Sequence, residues 1–153
     1  MLGGMELFID GQATKLSEKM TYKSIMIQDI PNFTWIFGYT NAPWTLKCDL
    51  AGQYLCRLMR YMDSEGMRVA TPRDYDRNHT DEGVLDTFEP GYIQRAKHLM
   101  PRQGKSGPWQ IQMHYGKDKR TLLKEPVDDG ILCFDAANSH SVGYASEQLD
   151  AVQ

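Results

Sequence analysis

The hydrophobic pattern of this chain changes period around Gly38. Before it, Phe33 to Phe37 is a short apolar and aromatic run with β-branched Thr34 and Ile36, bounded by Pro31-Asn32 and Gly38. A run of that kind without apolar/polar alternation predicts a strand buried on both faces. Gly38 to Asn41 is then a tight connection. Beyond it, Trp44, Cys48, Ala51, Leu55, Leu58 and Met62 recur at helical spacing, with Leu46, Leu50, Tyr54 and Tyr61 as a second stripe. Two adjacent stripes predict a helix packed broadly against a sheet. Pro43 suits its first turn, where a missing N–H costs nothing. Arg57, Arg60, Asp63 and Glu65 fall on the wet side, and Gly66 suits a left-handed stop. Strand, turn and helix N-terminus together can hold an electron-rich ligand, because the first helical N–H groups lack internal partners and the dipole favours negative charge there. Spacing alone favours a plain packing unit.

The remaining elements are shorter. Leu7-Phe8-Ile9 and Ala13 to Leu16 flank Asp10-Gly11, a hairpin signal. Tyr22 to Ile27 reads equally as a strand or an irregular segment, and Asp29 to Asn32 as a turn. Met67 to Ala70 predicts a brief extended piece ending at Thr71-Pro72, and residues 73–84 a charged surface loop in which His79 is solvated. Residues 91–100 suit a short helix between Pro90 and Pro101, and residues 101–109 a loop. Residues 111–123 are weakly periodic, and Ile131 to Phe134 predicts a last strand after the Asp128-Asp129-Gly130 turn. The expected class is α/β, as a mixed α+β fragment.

Composition narrows the functional classes. The chain has 153 residues, 41% apolar and 24% charged, with a net charge of −3. These values fit a single soluble globular unit and give no electrostatic case for nucleic acid or a membrane surface. The basic cluster Lys117, Lys119, Arg120 and Lys124 is interrupted by Asp118, as expected of a solvated face. Cys48, Cys56 and Cys133 form no C-x-x-C pair and suit buried free thiols in a reducing cytoplasm.

Candidate chemistry is sparse. No G-x-G-x-x-G, H-E-x-x-H or G-x-S-x-G occurs. His98, His114 and His140 lack metal-ligand spacing. Gly104-Lys105-Ser106 lacks the glycine a phosphate loop needs, since Leu99 stands there. Asp128-Asp129 sits in a turn, where carboxylates commonly serve geometry.

The run Gly38-Tyr39-Thr40-Asn41-Ala42-Pro43-Trp44-Thr45-Leu46-Lys47-Cys48-Asp49-Leu50 closely resembles a segment of FAD-containing Baeyer–Villiger-type monooxygenases, in their thioamide-activating branch. Ordered matches continue through Asp10-Gly11-Gln12, Ile30-Pro31-Asn32, Tyr61-Met62-Asp63, Pro90-Gly91-Tyr92, Pro108-Trp109 and Asp128-Asp129-Gly130, covering most of residues 3–134. The resemblance implies the C-terminal part of a flavoprotein with two dinucleotide-binding domains, one for FAD and one for NADPH. Such enzymes form a flavin peroxide that inserts oxygen beside a ketone carbonyl or oxidises a sulfur centre in a thioamide or sulfide. Residues 1–70 would complete the FAD domain, with Phe33 to Phe37 as its last strand. Residues 71–135 would wrap over domains not in this chain, and residues 136–153 would be a disordered tail. Tyr39, Thr40, Asn41, Ala42 and Trp44 would approach the pyrimidine edge of the flavin. The chain departs from the pattern at Pro43, where serine is common, at Gln110, where arginine is usual, and at Gln112-Met113-His114-Tyr115. No catalytic residue and no metal is implied. The chain alone is expected to be inactive, needing an N-terminal partner portion. The alternative is a non-catalytic interaction module or split-enzyme subunit derived from such an enzyme.

Overall fold

The computed structural model describes residues 6–84 and 97–136. Its longest element, α1 (Trp44–Ser64), carries the main core along one side through Leu50, Ala51, Tyr54 and Leu58. At 1.5 Å per residue it is about 31 Å long. Pro43 stands at its N-cap rather than inside its first turn, with φ −58° and ψ 133°. Gly66 closes the other end at φ +67°, a conformation a Cβ would disfavour.

The described residues form four two-stranded antiparallel sheets. β1 (Phe8–Ile9) and β2 (Gln12–Ala13) form the expected hairpin about Asp10-Gly11, both at positive φ. β3 (Thr21–Tyr22) and β4 (Met26–Ile27) resolve the ambiguous stretch as a tiny hairpin whose turn holds Lys23 and Ser24 at φ +52° and +58°. β5 (Met67–Pro72) pairs with β8 (Leu132–Ala136), Pro72 opposite Leu132. β6 (His79–Gly83) pairs with β7 (Arg102–Gly104). Two-stranded sheets are marginal alone. Here β5 and the helix α2 (Tyr115–Leu123) pack on α1, and Met20, Tyr22, Trp109, Leu122 and Leu132 close the core against it.

The outer edge of β5 is covered by a turn rather than a strand. Asn32, at φ +51°, donates its N–H to the Ala70 carbonyl at 3.0 Å, and its side-chain oxygen accepts the Ala70 N–H at 2.9 Å. Its side-chain nitrogen donates to the Arg68 carbonyl at 3.0 Å, and the Asp29 N–H donates to the Pro72 carbonyl at 2.9 Å.

Several expectations need correction. Phe33 to Phe37 is extended but is no ladder strand, and Thr34 is exposed while only Phe37 is buried. Its hydrogen bonds run to one side alone, from the Trp35 and Phe37 N–H groups to the Ile25 and Ser24 carbonyls. Apolar composition predicts burial only when other chain exists to cover both faces. Cys48 and Cys56 are exposed, and Cys133 is half-buried, so the thiols are not core groups. The charged stretch 73–84 contains β6, which its charges mark as a wet edge strand. The expected loop 101–109 contains β7 and a 3-10 turn that buries Trp109. Most of the expected 91–100 helix lies outside the described residues, which begin again with a 3-10 turn at Lys97–Leu99. The tail beyond residue 136 also lies outside them.

Candidate functional site

The turn between Phe37 and α1 is a compact unit with one required glycine. The Trp44 indole lies over Gly38, so a Cβ there would stand 2.2 Å from Cδ2. Phe37 meets the same indole edge-on, with ring centroids 6.3 Å apart. Trp44 is nonetheless 53% exposed and Thr40 and Asn41 are exposed, so the turn presents a surface. Ala42 is half-buried beside them. The Asn41 side-chain amide donates to the Met113 carbonyl at 3.0 Å, and Thr40 Oγ1 lies 4.0 Å from the Met113 sulfur. Tyr39 points the other way, into the protein. α1 opens without a side-chain cap and with no acidic residue in its first turn. Its positive end therefore faces the turn with no acidic residue of its own first turn beside it.

Beneath the turn lies a buried ionic network that sequence reasoning missed. Lys47 is only 1% exposed, and its ammonium lies 3.0 Å from Asp118 Oδ2. The Tyr39 hydroxyl donates to the same oxygen at 2.7 Å. The Lys47 ammonium also stands 5.7 Å from the centre of the Tyr39 ring. Burial holds the Lys47 pKa below its ordinary value despite the opposing pull of Asp118. Burial, together with the hydrogen bond and charge of Asp118, pushes the Tyr39 phenol well above its own.

A second network of the same composition sits nearby. Asp129 Oδ2 accepts the Tyr22 hydroxyl at 2.6 Å and pairs with the Lys23 ammonium at 2.9 Å. Asp129 Oδ1 accepts the Ile131 and Leu132 N–H groups, both at 3.1 Å. Burial alone would raise the Asp129 carboxyl, but Lys23, with these donors, outweighs it and holds it below its ordinary value. The Tyr22 phenol is pushed far up, first by burial, then by its neighbours Tyr54 and Asp129. Asp118 and Asp129 both line one cleft of about 500 Å³.

Comparison with known proteins gives this geometry a context. Over 137 residues the chain is 53% identical to MymA of Mycobacterium tuberculosis, a match covering 90% of this chain and 28% of MymA. It is 42% identical over 135 residues to AlmA of Acinetobacter baylyi, covering 88% of the chain and 27% of AlmA. It is 38% identical over 134 residues to EthA of Mycolicibacterium smegmatis, again 88% of the chain and 27% of the relative. All three carry names of FAD-containing or FAD-binding monooxygenases. The chain is homologous to the C-terminal part of FAD-containing monooxygenases. It spans little more than a quarter of the length of these flavoproteins. No family model and no solved structure matches it. Among the described residues, no helix is long and apolar enough to cross a membrane.

Two residues of the run Gln112-Met113-His114-Tyr115 have visible structural roles. Met113 adopts φ +44° and supplies the carbonyl that Asn41 uses. His114 caps α2, its Nδ1 accepting the Lys117 N–H at 3.2 Å. Gln110 is exposed beside the cleft.

Proposed function

We propose that this chain supplies the flavin-edge turn of an NADPH-dependent monooxygenase that oxygenates ketones, or sulfur in thioamides and sulfides. The observation that supports the reading is homology along 90% of the chain to a flavoprotein of which that match is only 28%. The turn fits the group: Gly38 admits the Trp44 indole, and the uncapped start of α1 leaves its first N–H groups without a side-chain acceptor. Bound FAD would supply the oxygen-activating chemistry, with NADPH as reductant. The contribution of this chain is electrostatic and steric. The first turn of α1 would favour negative charge on the pyrimidine side of the ring. Asn41, Ala42 and Trp44 would border that edge, with Thr40 beside them and Tyr39 holding the turn from below. The remainder of the enzyme would come from an N-terminal portion, without which the chain is inactive. The exposed thiols of Cys48 and Cys56 fit a reducing compartment such as the cytoplasm.

Co-expression of the chain with the N-terminal portion of a MymA-like relative tests the reading. The purified complex should carry flavin absorbance and consume O2 with NADPH in the presence of a ketone or thioamide. Trp44→Ala should lower its flavin content or slow flavin reduction. A complex whose flavin content and NADPH-driven turnover are both indifferent to Trp44→Ala and Asn41→Ala would remove the turn from the flavin site.

A further inference from the structure

We infer that Lys47 and Asp118 are positioning residues for the turn Gly38 to Trp44, locking the seat of the Trp44 indole on Gly38 from beneath the exposed surface. The assignment of that surface to flavin rests on the proposed function; the lock itself does not.

The geometry converges on one atom. Asp118 Oδ2, on α2, receives both the Lys47 ammonium at 3.0 Å and the Tyr39 hydroxyl at 2.7 Å. Tyr39 is the neighbour of Gly38 in the chain, and Lys47 lies one turn beyond Trp44 along α1. One carboxylate oxygen therefore fixes both partners of the Gly38–Trp44 contact, one through each side chain. That contact has little slack, because even a Cβ on Gly38 would stand 2.2 Å from the indole. A small rotation of α1, or a small displacement of Tyr39, unseats the ring. The Asn41 bond to the Met113 carbonyl ties the far side of the turn to the chain entering α2.

Stability alone gives no reason to keep such a pair. Desolvating an ammonium and a carboxylate costs so much that apolar residues of similar volume are commonly neutral or better. A buried pair is explained when it fixes a register that apolar packing leaves free, and three separate chain segments meet at this one. The first turn of α1 is also where an ammonium opposes the helix dipole. A location unfavourable for folding is thus occupied by a charge that specifies position.

The test separates position from stability in the full chain and needs no flavin. The Trp44 indole should give the Gly38 α-protons a large upfield ring-current shift in the NMR spectrum. In Lys47→Met/Asp118→Leu the urea midpoint should recover most of what Lys47→Met alone loses, falling short of wild type by the Tyr39 hydroxyl left unpaired, while that upfield shift is lost and the Trp44 side chain broadens or averages. In Tyr39→Phe, which keeps the ion pair and the fold, the shift should be partly lost. A double variant that folds and keeps the full upfield shift would overturn the proposal. So would a Tyr39→Phe spectrum unchanged at Gly38 and Trp44, even if the double variant did not fold. Failure of the wild-type chain to support a flavin complex would end the flavin reading and leave the lock standing.

Discussion

The two Lys–Asp–Tyr clusters share a composition and border one cleft, yet they do different work. In the first, Lys23 and Tyr22 are sequence neighbours in a tight turn. Their acceptor Asp129 is also bonded to two backbone N–H groups and keeps 21% of its side chain exposed. In the second, Tyr39, Lys47 and Asp118 come from a turn and two helices, and Asp118 keeps only 10% of its side chain exposed. Among the described residues, the Asp118 side chain has only those two partners. One cluster is a redundant local clamp, whereas the other is a joint with no spare contacts. The energy of a buried charge thus depends less on which residues form the pair than on how many other donors would remain if one were removed.

That contrast can be broken experimentally, starting with the largest effect. Lys47→Met leaves Asp118 buried with only a phenol, and should cost about 3–5 kcal/mol in urea unfolding. Lys23→Met should cost less, about 1–3 kcal/mol, because Asp129 keeps Tyr22, two N–H groups and some water. Equal losses would mean that the extra donors to Asp129 carry no weight. The single-hydroxyl variants should follow the same order at smaller scale. Tyr39→Phe removes one of two partners from Asp118, and should cost more than Tyr22→Phe, each on the order of 1–3 kcal/mol for a bond to a charged acceptor.

The smallest effects concern pH. Both phenols have folded values raised above the ordinary 10.0. Their stabilisation is complete below pH 10 and is lost as pH rises above it, because the unfolded chain releases those protons first. Thermal midpoints should therefore fall in that range, and fall less steeply in either Tyr→Phe variant. Lys47, lowered by burial, acts in the opposite sense below its ordinary 10.5. At the acid end the Asp129 carboxyl is lowered, and its contribution is present above pH 3.8 and is lost as pH falls through its folded value. Asp129→Asn should flatten that acid limb, measured as the urea midpoint against pH.

The long helix, its glycine stop and the Asp10-Gly11 hairpin were legible in the sequence because each rests on local chemistry. Lys47 was not, although a signal existed. Lys47, Leu50, Ala51, Tyr54 and Leu58 form one helical stripe, and it is the stripe the helix buries. A lysine in register with apolar residues demands a buried anion. The stripe through Trp44 and Cys48 looked better because every member was apolar or small, but both of those residues are exposed. No local pattern names Asp118 as the partner, since it lies 71 residues further along and its neighbours read as a solvated cluster. The Phe33 to Phe37 run failed for another reason. Its composition predicted burial on both faces, whereas its hydrogen bonds run to the Ile25 and Ser24 carbonyls on one side and only Phe37 is buried. For the five turn positions Tyr39, Thr40, Asn41, Ala42 and Trp44, the resemblance did not distinguish Tyr39, which turns inward, from Thr40 and Asn41, which face outward.

Asn32 has a consequence that lies in solubility rather than in stability. Strand edges with free N–H and C=O groups invite pairing between molecules. β5 is a six-residue strand whose outer edge is occupied by one asparagine and the N–H of Asp29. Asn32 and Asp29, both in a left-handed conformation, thus take the place of a strand and keep β5 from acting as a template. Asn32→Ala would open that edge, and the result should be seen first as concentration-dependent aggregation, before any large drop in melting temperature.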